Sequence, residues 1–235
     1  MGGAEKEIMS GRDIILGRIK DALRRPAPHK HNTAVKAADG IPTAEDFQPW
    51  LPQVGPEEAD QFALFAQHSV NLKTVFLECG SLEEASTQVK EIAAREGWKT
   101  IGYHSGTLST PLTESLGLTL LTTDNGYDTN ALEACDAGIT ECDFLIAQTG
   151  SVMVSGPSAG GRALSVLPPH HVVIARRSQM VPDLTTALAE VTLKYDSKFP
   201  SFMSFITGPS RTGDIERILV LGAHGPKQLT VIAIP

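Results

Sequence analysis

Residues 139–156, ITECDFLIAQTGSVMVSG, carry the reading of the fold. Phe144-Leu145-Ile146-Ala147 has the length and composition of a strand buried on both faces. The chain then breaks at Gln148-Thr149-Gly150-Ser151 before a second apolar run, Val152-Met153-Val154. In an open α/β sheet, a ligand usually lies beyond the carboxyl end of a strand. The expectation is therefore a central strand at Phe144–Ala147 whose polar turn borders a cleft.

Working outward, the chain on both sides alternates between helical and strand periods. Glu57 to Leu72 places Phe62, Phe65, Ala66 and Val70 on one helical face, Val75 to Leu77 is a strand, and Leu82 to Arg95 is a helix with Ala85, Val89, Ile92 and Ala93 inward. Gly97 closes that helix. Thr100 to Tyr103 and Leu118 to Thr122 read as short strands around a brief helix, Thr110 to Leu116. Downstream, His171 to Ala175 is an apolar strand, and Asp183 to Leu193 is a helix with Leu184, Leu188 and Val191 inward. Ile218 to Leu221 and Leu229 to Ile234 complete the sheet. Such alternation predicts a mostly parallel sheet sandwiched by helices, an α/β fold.

Three loops carry side chains suited to a ligand. The glycine-rich run Ser155 to Arg162 lets backbone N–H groups approach an anion, with the planar donor Arg162 beside them, although it matches neither the Walker pattern nor G-x-G-x-x-G, and on motif grounds a plain connection is the favoured reading. Gly208-Pro209-Ser210-Arg211-Thr212 is a donor-dense turn that either clamps an anion or forms a self-satisfied turn with Asp214 and Glu216 at its positive end. In Gly222-Ala223-His224-Gly225-Pro226, His224 stands between two small residues, accessible for acid/base work near neutral pH or bonded to its own hairpin backbone.

The N-terminal part differs. Ile14, Ile15, Ile19 and Leu23 recur at helical spacing from Ser10 to Arg24, with Ser10 as candidate cap, and a proline-rich arm follows Pro26. The chain thus divides into a helix and arm over 1–55 and an α/β domain over 56–235. The helix packs either on its own subunit or on a partner. His29 and His31 in the arm read as solvated residues rather than metal ligands.

Composition bounds the function. With 41% apolar and 20% charged residues over 235 positions, the chain reads as an ordinary globular protein. A net charge of −7 argues against a nucleic-acid footprint, which needs clustered Lys and Arg. No stretch approaches the roughly 18 apolar residues of a membrane span and no secretory signal is evident, so the expected location is cytoplasmic. Cys79, Cys135 and Cys142 form no C-x-x-C pair, so no disulfide framework, zinc or iron–sulfur site is indicated, and no metal or cofactor is expected.

In this order, ITECDFLIAQTGS, GPSRTGDIE and LGAHGPKQLTVIAI resemble the LutC-type lactate-utilisation family, also called the LUD domain family. The resemblance covers nearly the whole chain. It implies a fold similar to the ribose-phosphate isomerase and CoA-transferase-like superfamily, with the ligand at strand C-termini. It further implies a part in L-lactate oxidation beside iron–sulfur protein partners. Because no cysteine cluster is present here, this chain would be a non-redox component that binds a small anionic metabolite. On the superfamily pattern, Asp143 is the aspartate of the strand, and Thr149, Gly150 and Ser151 form the turn. Arg162 and Arg211 would hold the anion, with Ser210 and Thr212 as further donors, and Asp143, His224 or Asp214 would move a proton if there is turnover. A stand-alone isomerase or acyl/CoA transferase, and a structural or regulatory subunit, are the competing expectations. The position after the strand holds Gln148 and Thr149 where the superfamily's sugar-phosphate enzymes hold carboxylates, which weighs against isomerase chemistry.

Overall fold

A computed structural model describes residues 11–24, 51–212, 220–222 and 224–235. The chain forms two compact units, Met1–Trp50 and Leu51–Pro235. In the first, helix α1 spans Gly11–Arg24 and leaves Ile15, Leu16 and Ile19 exposed. The expected Ser10 cap and most of the proline arm lie outside the described residues.

The second unit begins with α2 (Glu58–Leu72), β1 (Val75–Glu78), α3 (Leu82–Glu96), β2 (Thr100–Tyr103), α4 (Ser109–Ser115), β3 (Thr119–Thr122), α5 (Thr129–Glu133) and β4 (Ala137–Thr140). It continues with β5 (Phe144–Ile146), β6 (Ser151–Ser155), the one-turn α6 (Gly156–Ala159), β7 (His170–Arg176), β8 (Met180–Val181) and α7 (Leu184–Lys194). It ends with β9 (Met203–Ile206), β10 (Arg211–Thr212), β11 (Val220–Leu221) and β12 (Gln228–Ile234). Local caps set the helix ends, the Gly97 stop among them as expected. Ser81 Oγ accepts the Glu84 N–H at 3.2 Å to start α3, and Gly97, at φ +73°, ends it. Asp183 starts α7 by accepting the Thr186 N–H at 2.7 Å.

Six strands in the order β1-β12-β7-β4-β2-β3 form one all-parallel sheet. Its core strands alternate between two hydrophobic layers, as a period of two requires. On β7, Val172 and Ile174 face the layer made by α3 and α4, with Val89, Ile92 and Leu112. Val173 and Ala175 face the other layer, made by Phe62 and Phe65 of α2 together with Leu145, Val152 and Val154. The mostly parallel α/β architecture is therefore present, with helices on one face and a helix plus a second sheet on the other.

That second sheet corrects the reading of the opening stretch. Only Ile139 and Thr140 belong to a central strand, the end of β4. Phe144–Ile146 instead forms an antiparallel hairpin with Ser151–Ser155, pairing Phe144 with Met153 and Ile146 with Ser151, inside a four-stranded sheet of order β8-β5-β6-β9. The strand is buried on both faces because this sheet lies between the parallel sheet and α7: Leu145 and Val152 point to the first, Ile146 and Met153 to Ala187 and Val191. The hairpin closes through Gly150 at φ +64°, a left-handed position that favours glycine.

Other expectations shift too. Val220–Leu221 pairs antiparallel with Arg211–Thr212 in a separate ribbon and does not extend the main sheet, and Ile218 lies outside the described residues. On α7 it is Ala187 and Val191 that are buried, while Leu184 and Leu188 face outward because the helix is rotated to seat its smaller residues on the second sheet. Val70, at the end of α2, is 71% exposed.

Candidate functional site

In the parallel sheet, β2 and β4 are neighbours, yet their successors depart in opposite directions: β2 leads to β3 on one side, and β4 leads on to β7 on the other. This divergence is a topological switch point, and open α/β sheets bind ligands in the crevice beyond the carboxyl ends of strands that part in this way. His104 directly follows β2, Asp124 lies two residues past β3, and Glu141 directly follows β4.

Each bordering carboxylate is occupied by donors of the protein. Glu141 Oε1 accepts the N–H groups of Leu108 at 2.7 Å and Ser109 at 3.0 Å and the Ser109 hydroxyl at 3.3 Å, so it caps α4, which has no side-chain cap of its own. A Cβ on Gly106 would collide with this carboxylate, which accounts for glycine there. Asp124 accepts the Ser105 hydroxyl, the Ser105 N–H at 3.0 Å and the Thr122 hydroxyl at 2.8 Å. The Ser105 hydroxyl is the main reason its carboxyl is lowered to about 2, against the opposing effect of burial, with the Ser105 N–H, Thr122 and His104 adding to it.

His104 Nδ1 lies 2.6 Å from Asp124 Oδ1, within hydrogen-bond distance although off the bond axis, and the two side chains are 25% and 27% exposed. The His104 carbonyl accepts the Ser109 hydroxyl at 2.7 Å, which ties the histidine backbone to the start of α4. Across the crevice, Gly160 sits at φ +62°, and a Cβ there would come within 2.6 Å of His104 Cβ and Cγ and 2.8 Å of Nδ1. The glycine-rich loop is thus shaped around this imidazole.

The loop is positioned by α6, whose capping box joins Ser155 and Ser158. Beneath it, Asp143 is 1% exposed. Its Oδ1 accepts Lys194 Nζ and the Tyr195 hydroxyl, each at 2.6 Å, and its Oδ2 accepts the Ser158 hydroxyl at 2.8 Å. Burial pushes this carboxyl up, but the Lys194 ammonium and the surrounding hydroxyls override it and hold the group below the usual carboxylate range. Burial raises the Tyr195 phenol to about 12, as does its bond to Asp143. Asp143 is therefore an ionised anchor inside the protein, joining the hairpin, α6 and the end of α7. Arg162 follows the glycines, with its guanidinium carbon 5.7 Å from the Phe202 ring and no carboxylate partner among the described residues.

The candidate residues derived from sequence fall into two groups at opposite ends of the sheets. Asp143 and Arg162 lie toward the crevice. Thr149, Gly150, Ser151, Ser210 and Arg211 gather where α2 ends and β1 and β12 begin. There a Cβ on Gly150 would meet His68 and Leu72, and Arg211 Nη2 donates to the Leu72 carbonyl at 2.7 Å. The Thr149 hydroxyl donates to Ser151 at 2.8 Å, Ser151 shares a 2.7 Å bond with Thr207, and the Ser210 N–H donates to the Pro226 carbonyl at 2.9 Å. Strand β6 separates the two groups by about 13 Å, four residues at about 3.3 Å each. His224 is exposed, Thr212 lies in the β10–β11 ribbon, and Asp214 is outside the described residues.

Sequence reasoning missed His104 and Asp124 as site residues and Lys194 and Tyr195 as partners of Asp143. The available signal was His104-Ser105-Gly106, a titratable residue and a glycine turn directly after an apolar strand in a parallel sheet. The three cysteines are buried in three different hydrophobic clusters, and no group of three or more metal-ligating side chains occurs among the described residues. No helix among the described residues is long and apolar enough to cross a membrane.

The family model of the LUD domain matches residues 64–234. Lactate utilization protein C of Anoxybacillus flavithermus is 31% identical over 185 residues, covering 77% of this chain and 83% of that protein. The protein of the same name from Shouchella clausii is 30% identical over 162 residues, covering 67% and 71%. That of Halalkalibacterium halodurans is 38% identical over 104 residues, a match spanning only 45% of its length. Among solved structures, a DUF162 family protein from Deinococcus radiodurans superposes with a TM-score of 0.61 at 18% identity, covering 77% of this chain and 100% of that one, and so shares the fold.

Proposed function

The chain belongs to the LUD domain family, and from that premise we propose that it is a non-redox component of an L-lactate utilisation system, binding a small anionic ligand in the crevice between β2 and β4. The observation that carries this reading is the charge state of the crevice. Asp124 has donors of its own surroundings on both oxygens, and Glu141 is turned toward the start of α4, where its Oε1 accepts three bonds, so both carboxylates are engaged within the protein. Beside them stand the imidazole of His104 and, on the adjoining glycine-rich loop, the exposed Arg162, a planar donor suited to a carboxylate whose guanidinium carbon lies 5.7 Å from the Phe202 ring.

The relatives named Lactate utilization protein C supply the metabolic setting. Electron transfer is assigned to iron–sulfur partners, and this chain's role is to bind and orient the hydroxy acid or its product. Asp143, with both oxygens bonded, acts here as the anchor of the loop, while Thr149 and Ser151 bond within the opposite end of the second sheet and Arg211 bonds the Leu72 carbonyl of α2. The test is genetic and direct. A strain lacking this chain loses growth on L-lactate while keeping growth on pyruvate, and Arg162→Ala fails to restore it where the wild-type chain succeeds. Undiminished growth of the deletion strain on L-lactate refutes the proposal.

A further inference from the structure

We infer that His104 is the specificity-determining residue of this crevice: its Nε2 accepts the hydroxyl proton of a bound 2-hydroxycarboxylate as a hydrogen bond, which distinguishes the hydroxy acid from the corresponding keto acid. The inference rests on the reading above and adds the group that recognises the ligand.

Four observations meet at this ring. Asp124 lies 2.6 Å from Nδ1 and is itself fixed by Ser105 and Thr122, so its negative charge favours the tautomer with the proton on Nδ1. The other nitrogen, Nε2, is then a lone-pair acceptor. It has no hydrogen-bond partner among the described residues, and the side chain is 25% exposed. The Ser109 hydroxyl holds the backbone of His104, and Gly160, in a left-handed conformation, lets the loop backbone pack against one side of the ring. Finally, His104 stands at the topological switch point, where a ligand reaches it from outside the sheet.

An acceptor at this position discriminates by chemistry. The 2-hydroxyl of a hydroxy acid donates to Nε2, whereas the 2-oxo group of a keto acid has only lone pairs to offer and faces another lone pair. A site built to bond a hydroxyl rejects the analogue that lacks it more strongly than an apolar pocket does. The carboxylate common to both acids falls to Arg162 and does not discriminate.

The test uses the purified full chain near neutral pH, with L-lactate and pyruvate as probes in calorimetric titrations, and compares wild type with His104→Phe and Asp124→Asn. The expected result is preferential binding of L-lactate by wild type. His104→Phe, which keeps a ring and removes the acceptor, loses about tenfold or more in lactate affinity while pyruvate binding changes less than about twofold, because an unpaired hydroxyl is then the main loss. Asp124→Asn, which releases the tautomer, weakens lactate by a smaller factor. Nitrogen-15 spectra of the wild-type histidines give a second readout independent of any variant's folding: the Nε2 signal of His104 moves on adding L-lactate and not on adding pyruvate. If lactate binding is unchanged in His104→Phe, or if both ligands weaken together, the inference is overturned while the anion-binding reading stands. If wild type binds neither acid, both fall.

Discussion

The two sheets of this protein bury ionisable groups in opposite protonation states. In the parallel sheet, His171 on β7 is 1% exposed with Nε2 2.9 Å from the Thr140 hydroxyl and Nδ1 unpartnered, and burial pushes its pKa down to about 3, with neighbouring His170 adding to the effect. It is a neutral imidazole. At the start of the second sheet, Asp143 is equally buried but ionised, because Lys194 reaches it from the rim with an ammonium while Tyr195 and Ser158 supply hydroxyls. The difference teaches that burial alone does not fix charge. The His171 ring meets only a hydroxyl and a second histidine, whereas the half-exposed end of α7 brings an ammonium to Asp143.

The sharpest break of this contrast is Asp143→Asn, which removes the charge and with it three charge-assisted bonds. It should cost about 3 kcal/mol, by the usual worth of hydrogen bonds to a buried charge and of breaking such a pair, read as a lower midpoint in urea unfolding. A loss below about 1 kcal/mol would mean that the network is dispensable.

Acid separates the two regions by pH. The folded pKa of His171 is depressed below its unfolded value of about 6.5, so the unfolded chain takes up a proton that the folded chain refuses. The stability this group contributes is complete above about pH 6.5 and declines as pH falls from there toward 3, by about 1.4 kcal/mol per unit and so by about 2 kcal/mol at pH 5. His170, lowered by burial against the opposing pull of Glu96, adds in the same direction. Asp143 is also depressed, but against an unfolded carboxylate value near 3.9, so its contribution persists to about pH 4 and is lost only below it. Unfolding midpoints measured from pH 7 down to pH 4.5 should therefore fall in wild type and fall less in His171→Asn, while Asp143→Asn follows the wild-type slope from a lower start.

The smallest effect is expected at the outer edge of the second sheet. Met203 and Phe205 on β9 are 37% and 41% exposed, and the far edge of this strand is unpaired among the described residues. Phe205→Ser should change stability by no more than about 0.5 kcal/mol, as surface substitutions do. A large loss would show that this face is covered.

How much of this was legible in the sequence follows from the range of the interactions involved. The alternation from Glu57 to Ala175 gave the α/β class, because periodicity and caps such as Ser81, Gly97 and Asp183 act within a few residues. Phe144–Ala147 was correctly read as doubly buried, yet it was assigned to the wrong sheet. Burial on two faces looks the same in a parallel core and in a hairpin between two layers, and the pairing of Phe144 with Met153 is a tertiary choice. The site was less legible. Thr149, Ser151 and Arg211 were singled out for their donors, but whether a donor faces a ligand or a helix end, as Arg211 faces the Leu72 carbonyl, depends on a contact 139 positions away. His104 drew no notice, since its meaning comes from Asp124 on another strand and from Gly160 on another loop.

The most direct test of the central claim, that the ligand enters the crevice between β2 and β4, is hydrogen exchange of the full chain with and without saturating L-lactate. The account predicts slowed exchange in the segments after β2 and β3, around Ser105 to Ser109 and Asp124 to Gly126, with no change at the hairpin turn. Protection confined to Gln148–Ser151 and Thr207–Arg211, or no protection anywhere, would contradict it.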